Sequence, residues 1–125
     1  VVEAEGRRLG ILTDLGHVFS GLADVMETLD ALLLESNYDP VMLRSGFYPA
    51  FLKARIAGPH GHLSNDEAAT LVKNHGRRLN WLCIGHLSDE NNTPELALTT
   101  NRKIIGSSLP IFLAGRHGIS ETMEV

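Results

Sequence analysis

The sequence predicts an α/β protein built on a largely parallel sheet, and three observations carry that expectation. Short apolar runs of strand character alternate with segments of helical period. Helix-start signals stand between those runs. The run Ala31 to Leu34 is apolar without interruption, as in a strand covered on both faces. Strand, helix, strand, helices, strand, helix, strand is the order of βαβ units.

Taken in order, Leu9 to Asp14 reads as a strand entering a glycine turn at Gly16. Leu22, Val25, Met26 and Leu29 then follow the i, i+3, i+4, i+7 spacing of a helix, with Ser20 as its cap. Asp30 to Glu35 is the second strand. From Ser36 to Leu63 the chain is broken by Asp39-Pro40, Ser45-Gly46, Tyr48-Pro49 and Gly58-Pro59, which predicts short helical pieces, one of them opened by Pro49. Ser64-Asn-Asp-Glu67 is a capping box for a helix with Ala68, Leu71, Val72 and His75 on its buried stripe and Gly76 at its end. Asn80 to His86 is the third strand. Thr93 caps, and Pro94 begins, a helix running to about Ile105, and Ile111 to Ala114 is the fourth strand. No linker divides the chain, so residues 1–125 read as one unit.

Composition narrows the function classes. Of 125 residues 43% are apolar and 21% charged, which suits a globular fold and excludes collagen, coiled coil and disorder. No apolar run approaches the ~20 residues of a membrane-spanning helix. Cys83 is the single cysteine, so no disulfide framework exists within the chain and a reducing, cytoplasmic setting is expected. Eleven basic against fifteen acidic residues give a net charge of −4, which opposes bulk attraction to nucleic acid. Charge is nonetheless uneven: no acid lies between Asp39 and Asp66, where Arg44, Lys53, Arg55, His60 and His62 are interleaved with Phe47, Tyr48 and Phe51. That mixture suits a nucleic-acid strand, or else an amphipathic connection with snorkelling basic side chains. The missing initiator Met suggests that the chain begins inside a longer product.

In open α/β sheets ligands collect at the carboxyl ends of strands, and Asp14, Glu35 and His86 each close one. His62 and His86 lie in a repeated tetrapeptide, Gly61-His-Leu-Ser64 and Gly85-His-Leu-Ser88, which reads as the same local need met twice rather than as a structural repeat. His17, His60, His75 and His117 read as structural or surface histidines, Cys83 as core, and Arg7-Arg8, Arg77-Arg78 and Arg102-Lys103 as solvated faces and helix ends. Neither a G-x-G-x-x-G turn, nor a phosphate-binding G-x-x-x-x-G-K-[ST] loop, nor a G-x-S-x-G elbow occurs, which sets aside nucleotide-binding and serine-hydrolase readings.

Four strings in this order, Thr13-Asp14-Leu-Gly16, Leu34-Glu35-Ser-Asn37-Tyr-Asp39, Gly61-His62-Leu-Ser-Asn65 and His86-Leu-Ser-Asp-Glu-Asn91-Asn92, resemble the C-terminal half of the metallo-β-lactamase superfamily. The nearest branch resembles the WalJ-type exonucleases, related to tRNase Z and to small cyclic phosphodiesterases. The resemblance runs from about Leu9 to Ile105. It implies half of an αββα four-layer sandwich, with Asp14 and His86 as ligands of two divalent ions, zinc or manganese. It further implies that His62 contacts phosphate or protonates the leaving group, and that Glu35 orients His62 or a metal ligand. Asn37, Asn91 and Asn92 are implied at the substrate side, or as residues that order the surrounding loops. A carboxylate can bridge two ions and imidazole completes their coordination, so these residue types suit phosphodiester hydrolysis by a two-metal site.

The family's His-x-His-x-Asp-His motif is absent from this chain. The expectation is therefore the C-terminal portion of a phosphodiesterase or nuclease, inactive alone, whose partner is the missing N-terminal half of the fold. The alternative is a non-catalytic α/β module that pairs with a partner or a second copy through an exposed sheet face.

Overall fold

The computed structural model describes residues 1–125. Five strands form one sheet in sequence order: β1 (Val2–Ala4), β2 (Arg7–Leu12), β3 (Ala31–Glu35), β4 (Trp81–Gly85) and β5 (Ile111–Leu113). The β2–β3, β3–β4 and β4–β5 pairs are parallel, as the alternation of elements predicts. β1 adds an antiparallel edge that the sequence reading does not contain. It is joined to β2 by Glu5-Gly6, both at positive φ (51° and 75°), a two-residue turn that matches strand twist.

The strand register sorts side chains onto two faces. Leu82 pairs with Leu32 on one side and Ile111 on the other, and Ile84 with Leu34 and Leu113, so these line one face. Helices α1 (Leu22–Met26), α4 (Asn65–His75) and α5 (Pro94–Ile105) cover it, with Met26, Leu29, Leu63, Leu71, Val72 and Ala97 completing the main core. On the opposite face Leu9, Ala31, Leu33, Trp81 and Cys83 pack with Ala114 and the C-terminal residues Met123 and Val125, and Trp81 meets the Phe112 ring edge-on. Ile11 and Phe112 on that face stay substantially exposed. β3 and β4 are buried on both sides, except for half-buried Leu33, which explains their unbroken apolar runs.

Most start signals act as the sequence implies. Ser64 and Glu67 form the reciprocal capping box of α4, Gly76 ends it, and Thr93 caps α5 with Pro94 in its first turn. Two starts differ. α1 is capped by Gly21 at φ 87° without a side-chain bond, not by Ser20, because the chain turns left-handed there. The broken segment yields α2 (Pro40–Ser45), capped by Asp39, and α3 (Ala50–Ile56), in which Pro49 is the cap residue rather than the first helical one.

The basic pairs do more than meet water. Asp30, at the amino end of β3, accepts from the Arg8 backbone N–H at 2.9 Å and from Arg78 Nε at 3.0 Å, and Arg7 lies 3.8 Å away. The Arg78 bond first, then that of Arg8, holds the Asp30 carboxyl below its ordinary range. Arg102 donates to the Leu109 carbonyl, tying α5 to the β5 entry. No helix is long and apolar enough to cross a membrane.

Candidate functional site

The carboxyl ends of β2, β3 and β4 lie side by side in a parallel sheet, which brings the segments following them to one edge. Glu35 closes β3 and is fully buried. Its Oε1 accepts from the backbone N–H groups of Leu15 (2.8 Å) and Leu63 (2.9 Å). Its Oε2 accepts from Asp14 N–H (2.9 Å) and lies 3.2 Å from His62 Nδ1 and 3.1 Å from His86 Nδ1. One carboxylate thus joins the three segments that carry Asp14, His62 and His86.

A carboxylate can only accept, so in its neutral form each imidazole facing Glu35 carries its proton on Nδ1 and keeps the lone pair on Nε2. The rings lie 5.3 Å apart at 62°, and His62 Nδ1 is 3.9 Å from Asp14 Oδ1. Ligand atoms of Asp14, His62 and His86 fall within 4.8 Å of one another. The Asp14 side chain is 71% exposed, against 41% for His86 and 27% for His62, so the cluster opens to solvent above a buried acceptor.

Backbone geometry supports this arrangement. Asp14 (φ 58°), two residues beyond β2, and His86 (φ 53°), directly after β4, both adopt the left-handed conformation, an uncommon state for residues with a side chain. Close packing holds the β2–α1 loop against the loop preceding His62: a Cβ at Gly16 would stand 2.3 Å from the Pro59 carbonyl oxygen. His17 Nδ1 lies 3.0 Å from that same oxygen, which occupies His17 with loop packing and leaves it outside the cluster.

The asparagines form a floor under the edge. Asn37 Nδ2 donates to the His86 carbonyl (2.7 Å), while the Asn37 carbonyl accepts from Ser88 N–H (2.8 Å), clamping the His86 turn from two sides. Asn92 Nδ2 donates to the Ser36 and Asn37 carbonyls and to Asn65 Oδ1. Ser36 Oγ also donates to Asn65 and accepts from Asn101. Asn91 is buried, its backbone N–H bonded to Ser88 Oγ. Asn37 and Asn92 also border a cavity of about 540 Å³ beside His86, with Arg116 on its wall.

The two tetrapeptide copies serve matching purposes. Each histidine reaches Glu35, and each serine accepts a backbone N–H three residues on, Ser64 from Glu67 and Ser88 from Asn91. Ser36, Asn65 and Asn101 carry no role in the sequence reading. Their signal was faint, because a polar residue after a strand or inside a helix looks solvated until the fold buries it.

Fold and site together define an α/β chain with a carboxylate and imidazole cluster on the carboxyl edge of its parallel sheet. Known proteins are similar to this sequence over part of its length. The chain is 44% identical over 91 residues to the exodeoxyribonuclease WalJ of Streptococcus pneumoniae serotype 2, covering 72% of this chain and 34% of that protein. It is 37% identical over 92 residues to the exodeoxyribonuclease YycJ of Bacillus anthracis, covering 73% of this chain and 35% of that protein. The chain therefore spans about a third of the length of the curated relatives it matches. No protein-family model matches the chain, and no solved structure matches it.

Proposed function

We propose that this chain is the C-terminal part of a metal-dependent hydrolase of the metallo-β-lactamase superfamily that cleaves phosphodiester bonds in DNA. The observation that carries the reading is the gathering of Asp14, His62 and His86 on the single buried acceptor Glu35. The exodeoxyribonuclease names of its relatives supply the substrate class.

The donors suit divalent metal. Carboxylate and imidazole are the ligand types of zinc and manganese sites. Donors on one ion lie about 3–4 Å apart given metal–ligand bonds of ~2.0–2.2 Å, and one ligand atom from each of Asp14, His62 and His86 falls within 4.8 Å of the others. Asp14 and His86 are the ligands in this reading, and the remaining ligands come from the N-terminal part of the parent protein. Bound divalent ions would supply a water nucleophile near neutral pH and positive charge beside the phosphoryl oxygens.

The chain's own residues prepare that chemistry. Glu35 fixes both imidazoles with Nε2 free, which presents His86 as a ligand and His62 as the group that contacts phosphate or hands a proton to the departing oxygen. Asn37, Asn91 and Asn92 hold the loops at the substrate side in place. The incompletely covered sheet face around Ile11 and Phe112 receives the second half of the four-layer sandwich. This leaves the isolated chain with a partial ligand set and no activity. A single cysteine, buried in β4, and DNA as substrate fit a cytoplasmic setting.

The test is Asp14→Ala in the full-length parent. Hydrolysis of DNA with Mn²⁺ or Zn²⁺ should vanish while the unfolding midpoint stays, because this exposed side chain packs against nothing essential; retained activity would refute the assignment. The same exposed face supports a second reading, a non-catalytic module that pairs with a second copy. An inactive parent, with the 125-residue chain eluting as a stable dimer, would favour it.

A further inference from the structure

The α2–α3 lobe exposes what a folded chain ordinarily hides. Phe47 is fully solvent-exposed at 105% and Phe51 at 75%, and Val41 of α2 is exposed at 60%. Burying a phenylalanine stabilises a fold, and neither ring is used in this way. In the same α2–α3 segment Arg44, Lys53 and Arg55 form no salt bridge with any acidic side chain. No acid lies between Asp39 and Asp66 in a chain whose net charge is −4, so the positive charge here is local. Glu90 borders the cleft beside Phe47 and Tyr48, which leaves the α3 side as the cationic one.

This lobe is coupled to the metal-type cluster. Lys53 Nζ donates to the Arg44 carbonyl at 2.7 Å, tying α3 to α2. His62 N–H donates to the Ile56 carbonyl at 2.9 Å, so the residue that reaches Glu35 hangs from the end of α3. Gly61 makes that join close: a Cβ there would stand 2.0 Å from the Ile56 oxygen.

We propose that Phe47 and Phe51 are a stacking platform for unpaired bases of a DNA strand, with Arg44, Lys53 and Arg55 on its phosphates, and that this platform feeds the strand toward His62. Exposed aromatic faces interleaved with cations are the chemistry of single-strand binding, since bases in a duplex have no free face to offer. The proposal rests on the DNA-hydrolase reading but concerns a different surface.

The experiment is fluorescence anisotropy of labelled oligothymidylate titrated with the full chain in EDTA, where metal chemistry plays no part. Phe47→Ala and Phe51→Ala should each weaken binding by roughly 5- to 140-fold, and Phe→Trp at either position should preserve it. Arg44→Gln, Lys53→Gln and Arg55→Gln should each flatten the salt dependence, by about 0.7 in the log–log slope. Circular dichroism should be unchanged in the phenylalanine variants, whose rings are exposed. Undetectable binding, wild-type affinity in both alanine variants, or equal affinity for duplex DNA would overturn the proposal. Wild-type affinity together with weakened association of the chain with the rest of its parent would overturn it too, by making the patch an internal interface. Strand binding that needs both rings, in a parent that hydrolyses no DNA, would instead overturn the hydrolase reading and leave the platform standing.

Discussion

Replacing Glu35 with glutamine tests the centre of the site with almost no change in shape. The carboxylate accepts from five donors, and an amide offers one acceptor oxygen and one NH₂ in their place. With the NH₂ at the Oε1 position, the N–H groups of Leu15 and Leu63 both lose their acceptor, at about 1–3 kcal/mol each. At the Oε2 position only Asp14 N–H is orphaned, again about 1–3 kcal/mol, because both imidazoles can change tautomer and accept from the amide. The second orientation wins. It costs a modest part of a typical 5–15 kcal/mol stability and moves both imidazole protons to Nε2, where metal capture needs a lone pair. With a urea slope of about 1–3 kcal/mol/M, the midpoint followed by fluorescence of buried Trp81 should fall by about 1 M. Long-range ¹H–¹⁵N correlation spectra of metal-free protein should show His62 and His86 switching from Nδ1–H to Nε2–H. An unchanged midpoint together with unchanged tautomers would refute this account of Glu35.

Three further outcomes follow from the same geometry. Asp14→Gly should raise stability by up to about 1 kcal/mol while removing a proposed ligand, because glycine relieves the φ of 58° and keeps the N–H bonded to Glu35; a lowered thermal midpoint would contradict it. Asp30 has a lowered folded pKa, so its stabilisation is present above about pH 4 and is lost as pH falls through that lowered value. Urea midpoints from pH 6 down to 2 should therefore show wild type and Asp30→Asn converging in acid, and a constant gap would count against the Arg78 and Arg8 contacts as its cause. Leu82→Ala, at a fully buried position in the main core, should cost about 2–5 kcal/mol by chemical denaturation.

How the elements form was largely legible along the chain. The unbroken run Ala31 to Leu34, the Ser64–Glu67 box and the Thr93-Pro94 start are local signals, and local physics honours them. Where a signal depended on chain direction it was lost: Ser20 stands in a suitable place, but the left-handed turn at Gly21 puts the cap one residue later. The Glu5-Gly6 hairpin was missed because glutamate is an unusual residue for such a turn, and only the pairing with β2 reveals it.

The candidate site divides along the same line. Residue types and strand ends were enough to single out Asp14, Glu35 and His86, and the resemblance of the Gly61-His62-Leu-Ser-Asn65 string added His62. That one buried carboxylate bonds all three of the others, with partners 20 to 51 residues apart in sequence, is decided only when parallel pairing stacks the strand ends at one edge. Composition could not separate Asn65 and Asn101 inside helices from solvated polar residues, because their burial depends on the Ser36 hydroxyl brought to them by β3. The sequence by itself determined which elements form and which side chains can do chemistry, since capping, periodicity and residue type act within a few residues. Tertiary structure alone decided which side chains meet and which proton each imidazole carries, since both depend on hydrogen bonds between segments distant in the chain.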